Sequence, residues 1–148
     1  MPKAATRTAA DVVRMQFDLF NRRDLDSLAE LTSEESEWIN LPFDTEMYGQ
    51  DGCRDFMQDW IDGFPDAKAE IVSMIADGNR VAVEFIGRGT HDGTLSTSDG
   101  DIEPTGRKME LRFCQVTEVD NGLIEKVTLY FDSASMLRQL GFEPNYDF

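Results

Sequence analysis

The chain has 148 residues, of which 41% are hydrophobic, so it is long enough and apolar enough for one domain with a sizeable core. Its 29 acidic and 14 basic residues give a net charge of −15, which argues against nucleic acid or an anionic membrane as a partner. No apolar run approaches the roughly 18 residues that a membrane span needs. We expect a single domain over residues 1–148 with an acidic surface that favours solubility.

The N-terminal segment and the cysteines indicate a cytoplasmic location. The first eight residues contain no apolar stretch of the kind that a secretory signal needs. Cys53 falls on an apolar helix stripe and Cys114 falls in a strand, so we expect two reduced core thiols. A single histidine and two separated cysteines lack the spacing of a zinc site. No phosphate-binding glycine loop is visible either, and we therefore predict neither a metal nor a cofactor.

Helices and one strand fill the first half of the chain. Apolar residues at helical spacing predict a helix from about Thr8 to Arg23. Asp24 is placed to cap a short second helix, and a strand follows over residues 37–41, ended by Pro42. A third helix has Asp51 as its expected N-cap. Its apolar residues recur every 3.6 positions: Cys53, Phe56, Met57, Trp60, Ile61 and Phe64.

After Pro65 the hydrophobic period changes to two, which predicts strands. The first two strands cover residues 69–75 and the alternating segment around Val83, with a turn at 77–79 between them. Residues 92–101 are polar and predict a loop.

Two further strands and a helix complete the prediction. One strand surrounds Leu111 and the other covers 124–131, with a hairpin turn at 120–122. Ser133 begins a final helix that ends near Gly141. Segregated helices and hairpins define an α+β fold in which the helices cover one face of a curved antiparallel sheet and leave a cone-shaped pocket.

Several short segments, taken in order, resemble the SnoaL-like polyketide cyclases and ester cyclases of the nuclear-transport-factor-like superfamily, from about Thr8 to Phe142. The resemblance implies a cone-shaped α+β barrel, a homodimer, and cofactor-independent cyclisation or isomerisation of a hydrophobic, oxygenated small molecule. The segments are Tyr48-Gly49-Gln50-Asp51-Gly52, Phe64-Pro65-Asp66, Gly89-Thr90-His91-Asp92-Gly93, Pro104-Thr105-Gly106-Arg107, Asn121-Gly122-Leu123-Ile124 and Leu137-Arg138-Gln139-Leu140-Gly141.

The chain also resembles the limonene-type epoxide hydrolases in part. Residues 38–42, Trp-Ile-Asn-Leu-Pro, are similar to their Tyr-x-Asn-x-Pro segment, and residues 130–132 match their Tyr-Phe-Asp. Arg88 falls where their Arg-x-Asp pair begins, but Thr90 stands in place of the second carboxylate. The chain also departs from the SnoaL-like pattern, because residues 126–129 lack the histidine that many of those cyclases carry.

Four polar residues are candidates for chemistry. The resemblance implies that Asp132 is the acid/base carboxylate and that Asn40 holds a water or a substrate oxygen. The alternatives are that Asp132 caps the last helix and that Asn40 is a turn residue. Arg88 would stabilise negative charge if its strand face points inward, or form an ion pair if that face points outward. His91 is a candidate base, or a loop histidine bound to backbone.

Trp38, Trp60, Tyr130 and Phe85 are the expected walls of the pocket, since a hydrophobic ligand needs apolar walls with few polar groups. The same residues would be ordinary core in a domain without a ligand. Three functions therefore stay open: a cyclase or isomerase, an epoxide hydrolase, and a non-catalytic ligand-binding or dimer-scaffold domain. The expected partners are a hydrophobic small molecule and a second copy of the chain.

Overall fold

Four helices and eight strands follow one another through residues 7–142, the part of the chain that the computed structural model describes. No helix in that part is both long and apolar enough to cross a membrane. In chain order the elements are α1 (Ala9–Asn21), α2 (Leu25–Glu30), β1 (Thr32–Asn40), β2 (Thr45–Tyr48), α3 (Gly49–Gly63), β3 (Lys68–Asp77), β4 (Arg80–Thr90), β5 (Leu95–Thr97), β6 (Gly100–Ile102), β7 (Lys108–Asp120), β8 (Leu123–Phe131) and α4 (Ser133–Gln139).

Six strands form one mixed sheet in the order β2-β1-β8-β7-β4-β3. The pair β1 and β8 is parallel, and the other neighbouring strands are antiparallel. Helices α1 and α3 pack on one face of this sheet, which confirms the predicted α+β class. The expected barrel is wrong in one respect: β2 and β3 are separate edges, so the sheet stays open and the helices fill its concave side.

Strict alternation decides which side chains of β4 and β7 face the helices. Val81, Val83 and Phe85 are buried on the helix side, and so are Met109, Leu111 and Phe113 of the neighbouring strand. Their even-numbered neighbours point the other way, because successive side chains of a strand alternate between its faces. The inward residues join α1 and α3 in one hydrophobic cluster.

Local signals in the sequence explain where the first elements begin. Thr8 and Asp11 form a reciprocal capping box at the start of α1, with bonds of 3.1 and 3.2 Å. Asp24 caps α2 by accepting from Ser27 N, as predicted. At the β7–β8 hairpin, Asn121 and Gly122 have φ of 51° and 75°, the left-handed pair that a type I′ turn requires.

Three local expectations are corrected. Helix α3 begins at Gly49 with Tyr48 as its N-cap residue, and Asp51 lies in the first turn. The helix therefore begins three residues earlier than a cap at Asp51 implies, and its first residue favours glycine because φ is 71° and a Cβ there would lie 2.9 Å from Glu34 O. The polar stretch 92–101 is not only a loop, since it contains β5 and the start of β6. The short edge strand β2 has too few residues to show a period.

Candidate functional site

A cavity of about 70 Å³, open to solvent at one end, lies between α1, α3 and the sheet. Apolar side chains form nearly all of its wall, which is the surface that a hydrophobic ligand needs. The apolar and small residues around it are Phe17, Phe20, Phe56, Met57, Trp60, Phe64, Ala67, Ala69, Phe85, Gly87, Met109, Phe113 and Leu129. Gly87 keeps the cavity open, because a Cβ there would lie 2.7 Å from the ring of Phe113.

Two glutamines form the polar part of the inner wall. Gln16 on α1 and Gln115 on β7 are each 2% exposed, and their amides pair reciprocally at 3.1 and 2.9 Å. Gln115 Nε2 also donates to Thr117 Oγ1 at 2.8 Å. Both hydrogens of Gln115 Nε2 are therefore used, while the second hydrogen of Gln16 Nε2 has no acceptor among the described residues.

The charged residues of the wall, Lys68 and Arg88, lie at its exposed end. Lys68 Nζ donates to Asn21 O at 2.8 Å. Arg88 is held on both sides, by Glu70 at 2.7 Å and by Glu110 at 2.6 Å. These two carboxylates raise the pKa of Arg88 by hydrogen bonding and offset its charge, so the cavity presents neutral groups inside and charge only at its rim.

A second, smaller recess of about 10 Å³, which is room for about one water molecule, adjoins this cavity. We call it the Asn40–Asp59 recess after its two interior polar groups. Phe56 and Trp60 line both spaces, so the two are separated by aromatic side chains rather than by backbone. The remaining residues around the recess are Phe43, Thr45, Met47, Leu95 and Ser96.

Asp59 is an uncompensated carboxylate in the recess. It forms no ion pair and no hydrogen bond with any residue of the described range 7–142. Burial raises its pKa to about 6, and the negative charges of Asp62, Asp55 and Asp101 add to the shift. Asn40 is 5% exposed; its Oδ1 accepts from Phe43 N at 3.1 Å, which leaves Nδ2 as a spare donor.

The structure places Asp132 outside the cavity and the recess that the helices cover, at the rim of a depression on the outer face of the sheet that Tyr130 also lines. Its carboxylate caps α4 by accepting from Ala134 N, Ser135 N and Ser135 Oγ at 3.0, 3.2 and 2.8 Å. These bonds, led by the Ser135 hydroxyl, lower its pKa because they stabilise the charged form. Asp132 is therefore the N-cap of α4, as the second interpretation of this residue predicted.

Arg88 and Tyr130 belong to the outer face of the sheet. The inward positions of β4 are the odd-numbered apolar ones, so Arg88 points outward with Glu84 and reaches the cavity only at its rim. Tyr130 is 42% exposed in a shallow outer depression and does not line the cavity. Cys114 shares that depression and is half-buried, so it is not the core thiol that was expected.

His91 is fully buried behind the cavity, where it holds a loop together. Its ring lies 5.3 Å from that of Phe64, and its Nδ1 accepts from Thr105 N at 3.2 Å. Its backbone N and O bond to Arg107 and Gly106, both at 2.8 Å. Burial lowers the pKa of the imidazole. These contacts match the loop alternative, and they keep the ring away from both binding spaces.

Of the remaining expectations, Trp60 and Phe85 do line the cavity. Trp38 does not, because it is fully buried against Phe56 and donates from Nε1 to Ser36 Oγ at 3.2 Å. Cys53 is fully buried as predicted, and burial raises its thiol pKa to about 12. Within residues 7–142, no three metal-binding side chains of the His, Cys, Asp and Glu types cluster.

Sequence reasoning missed three residues of this arrangement. Gln115 is in phase with the apolar positions of β7, and Gln16 lies between Met15 and Phe17 on the apolar face of α1. A polar residue at such a position signals a buried polar group. Asp59 gave no signal, since it reads as one more acidic residue on an acidic helix.

The open mixed sheet, its covering helices and the enclosed cavity define a nuclear-transport-factor-like fold. The sequence profile of the SnoaL-like polyketide cyclases matches residues 10–140, so the chain belongs to that family. No protein with a curated description is detectably similar in sequence.

Solved structures share the fold over most of the chain. A SnoaL-like, proposed polyketide cyclase from Jannaschia sp. CCS1 has a TM-score of 0.81 at 15% identity, covering 97% of this chain and 99% of its own. IdmH of Streptomyces antibioticus, a proposed polyketide cyclase, has 0.75 at 25%, covering 92% and 100%. AclR of Streptomyces galilaeus, a proposed hydroxylase, has 0.75 at 21%, covering 94% and 84%.

Proposed function

We propose that this protein binds a hydrophobic, oxygenated small molecule of the polyketide type in the cavity between its sheet and helices. The observation that carries the proposal is an apolar cavity with a neutral amide pair in its buried wall. A ring system would fill the apolar space, and one oxygen would accept the spare hydrogen of Gln16 Nε2. A carbonyl or hydroxyl oxygen suits that donor, because neither group brings a charge into the cavity.

The reaction we propose is cofactor-independent cyclisation or isomerisation by proton transfer. Membership of the SnoaL-like cyclase family supports it. Epoxide hydrolysis has less support, because Arg88 is neutralised at the rim, Asp132 caps α4, and Asn40 lies in the recess. If the protein releases its ligand chemically unaltered, its function is non-catalytic binding.

The homodimer stays a prediction that the outer face of the sheet supports. Ile75 on β3 is 68% exposed, and it lines a shallow depression together with Tyr130 of β8. Large apolar side chains at such exposure favour contact with another protein surface. A second copy of the chain would bury them.

Binding of 2-tetralone, a bicyclic ketone, tests the proposal against tetralin, the same bicycle without oxygen. We expect saturable binding of both by calorimetry, with the ketone about fivefold tighter because one hydrogen bond contributes about 1 kcal/mol net. The double substitution Gln16→Leu with Gln115→Leu removes the amides and should abolish that preference while hydrocarbon binding persists.

Blocking the cavity supplies the matched control. Ala69→Phe adds a ring at the cavity wall and should weaken both ligands at least tenfold, whereas Ala76→Phe on the exposed end of the same strand should not. The proposal is overturned if neither ligand binds saturably, or if the two alanine variants behave alike.

A further inference from the structure

We propose that the Asn40–Asp59 recess is the proton-transfer site, with Asp59 as the carboxylate that removes and returns the proton and Asn40 Nδ2 as the donor that holds the reacting oxygen. The inference rests on the proposed function, because the recess acts on a molecule whose body lies in the neighbouring cavity. It assigns a catalytic role to an α3 side chain that none of the resembling motifs marks.

The surroundings of Asp59 suit a base rather than a structural anion. A structural carboxylate in this chain has partners, as Asp132 and Asp24 have at their helix caps. Asp59 faces the recess without a cation or a donor from residues 7–142, and like charges lie one helical turn away on each side at Asp55 and Asp62. A carboxylate left in this condition takes up a proton readily near neutral pH, which is what general acid–base catalysis requires.

Asn40 supplies an independent sign that the recess is built for a ligand. Its side chain is almost fully buried at the end of β1, and its Oδ1 is fixed by Phe43 N, so the orientation of the amide is set. The remaining Nδ2 donor lines the recess and has no acceptor within the described chain. Nδ2 itself is not fully closed off from solvent, so water or a ligand oxygen in the recess can accept its hydrogens.

The recess and the cavity are close enough for one molecule to use both. Trp60 and Phe56 are shared walls, and Trp60 packs on Phe43 on the recess side and on Phe113 on the cavity side, with centroids 5.7 Å apart in each case. The partition is therefore one layer of aromatic side chains. If the Trp60 side chain turns aside, the two spaces join, and a multi-ring ligand can then direct one carbonyl-bearing edge toward Asp59.

The chemical step follows from these positions. The Asp59 carboxylate removes a proton from the carbon next to a carbonyl, the C–H electron pair forms a C=C bond, and the carbonyl π pair moves to the oxygen that Asn40 Nδ2 holds. Return of the proton from Asp59 to a different carbon isomerises the molecule. Attack of the enolate carbon on a second carbonyl of the same molecule closes a ring, and the proton then goes to the new alkoxide.

Hydrogen–deuterium exchange at the carbon between the carbonyl and the aromatic ring of 2-tetralone measures this step directly. In D₂O, proton NMR should show exchange above the buffer rate with the wild-type protein. Asp59→Asn should reduce that rate about 100-fold or more, since a positioned base contributes at least that factor. The matched control Asp51→Asn removes an exposed carboxylate two turns earlier on α3, one that does not contribute to the pKa of Asp59, and should keep the rate within about twofold.

The dependence on pH separates a base from a bystander. The wild-type rate should rise as pH increases and level off above a pKa of about 6, because only ionised Asp59 removes the proton. Calorimetry with the same ketone separates the two proposals. Binding without exchange above buffer, or full exchange by Asp59→Asn, overturns the role of Asp59 and leaves the cavity proposal standing, whereas loss of ketone binding overturns both.

Discussion

Successive side chains of β4 and β7 point to opposite faces of the sheet, and the two faces differ in nearly all of their chemistry. On the helix side of β7, Gln115 and Thr117 are the polar residues of an otherwise apolar row, and Gln115 lines the cavity. On the outer side, Arg88 and Arg112 alternate with glutamates in exposed ion pairs of 2.6 to 3.5 Å. Charge is tolerated where water screens it, and neutral amides replace charge where water is excluded.

This contrast teaches that charge alone is a poor guide to the site in this chain. Arg88 and Asp132 were the most reactive-looking residues of their segments, and both have their charge satisfied by neighbours at the surface. Within residues 7–142, Gln16, Asn40 and Asp59 have unused bonding capacity and line the cavity or the recess, whereas the unpartnered buried atoms Thr32 Oγ1 and His91 Nε2 line neither.

The largest effect should come from placing a carboxylate on each face in turn. Gln115→Glu introduces a carboxyl into the buried amide pair and should lower the free energy of unfolding by about 3 kcal/mol at pH 8, because a buried charge loses its hydration. Val116→Glu, one residue away on the outer face and opposite Ala82 and Thr128, should lower it by less than about 1 kcal/mol. Urea unfolding measures both, and the difference should shrink at pH 4.5, where the introduced carboxyl is protonated.

An intermediate effect is expected for Asp59, which is buried on one side only. Burial and like charges raise its pKa from 3.8 to about 6 in the folded state. Ionised Asp59 therefore lowers the free energy of unfolding. This destabilisation is absent below pH 3.8, grows up to about pH 6, and is constant above. Asp59→Asn should stabilise the protein by about 1 kcal/mol at pH 8 after allowance for solvent screening, and should have no effect at pH 3.5.

Equal effects of Asp59→Asn at the two pH values would contradict this account. Asp51→Asn is the reference in the same unfolding experiment, since that side chain is exposed on the same helix and does not contribute to the pKa of Asp59.

The smallest effect should follow loss of the α4 cap. Asp132→Ala removes three hydrogen bonds at the start of a short surface helix and should lower Tm by a few degrees. Because the pKa of Asp132 is lowered in the folded state, this stabilisation is present above about pH 4 and is lost as pH falls through the lowered value. Ketone binding should be unchanged. If the variant folds but does not bind the ketone, Asp132 contributes to the binding site and this assignment is wrong.

Periodicity predicted the fold well and the site poorly, for physical reasons. Alternation in β4 and helical spacing in α3 reflect burial over many residues, so single exceptions do not erase the pattern. The sheet face on which Arg88 lies can be assigned only from the register of β4 against its neighbouring strands. The sequence around Arg88 does not give that register. The acidity of Asp59 depends on Asp101, 42 positions away in sequence, and only the folded chain brings their charges together.

That remote neighbour gives the β5–β6 hairpin a significance beyond its size. Gly93 lets the chain pass against the end of α3, where a Cβ would lie 1.8 Å from Asp62 O, and the hairpin that follows brings Leu95, Ser96 and Asp101 to the recess. The hairpin pairs with no strand of the large sheet. Changes in the length or charge of the β5–β6 hairpin can therefore alter the pKa of Asp59 during evolution. The sheet, the helices and the ligand cavity need not change.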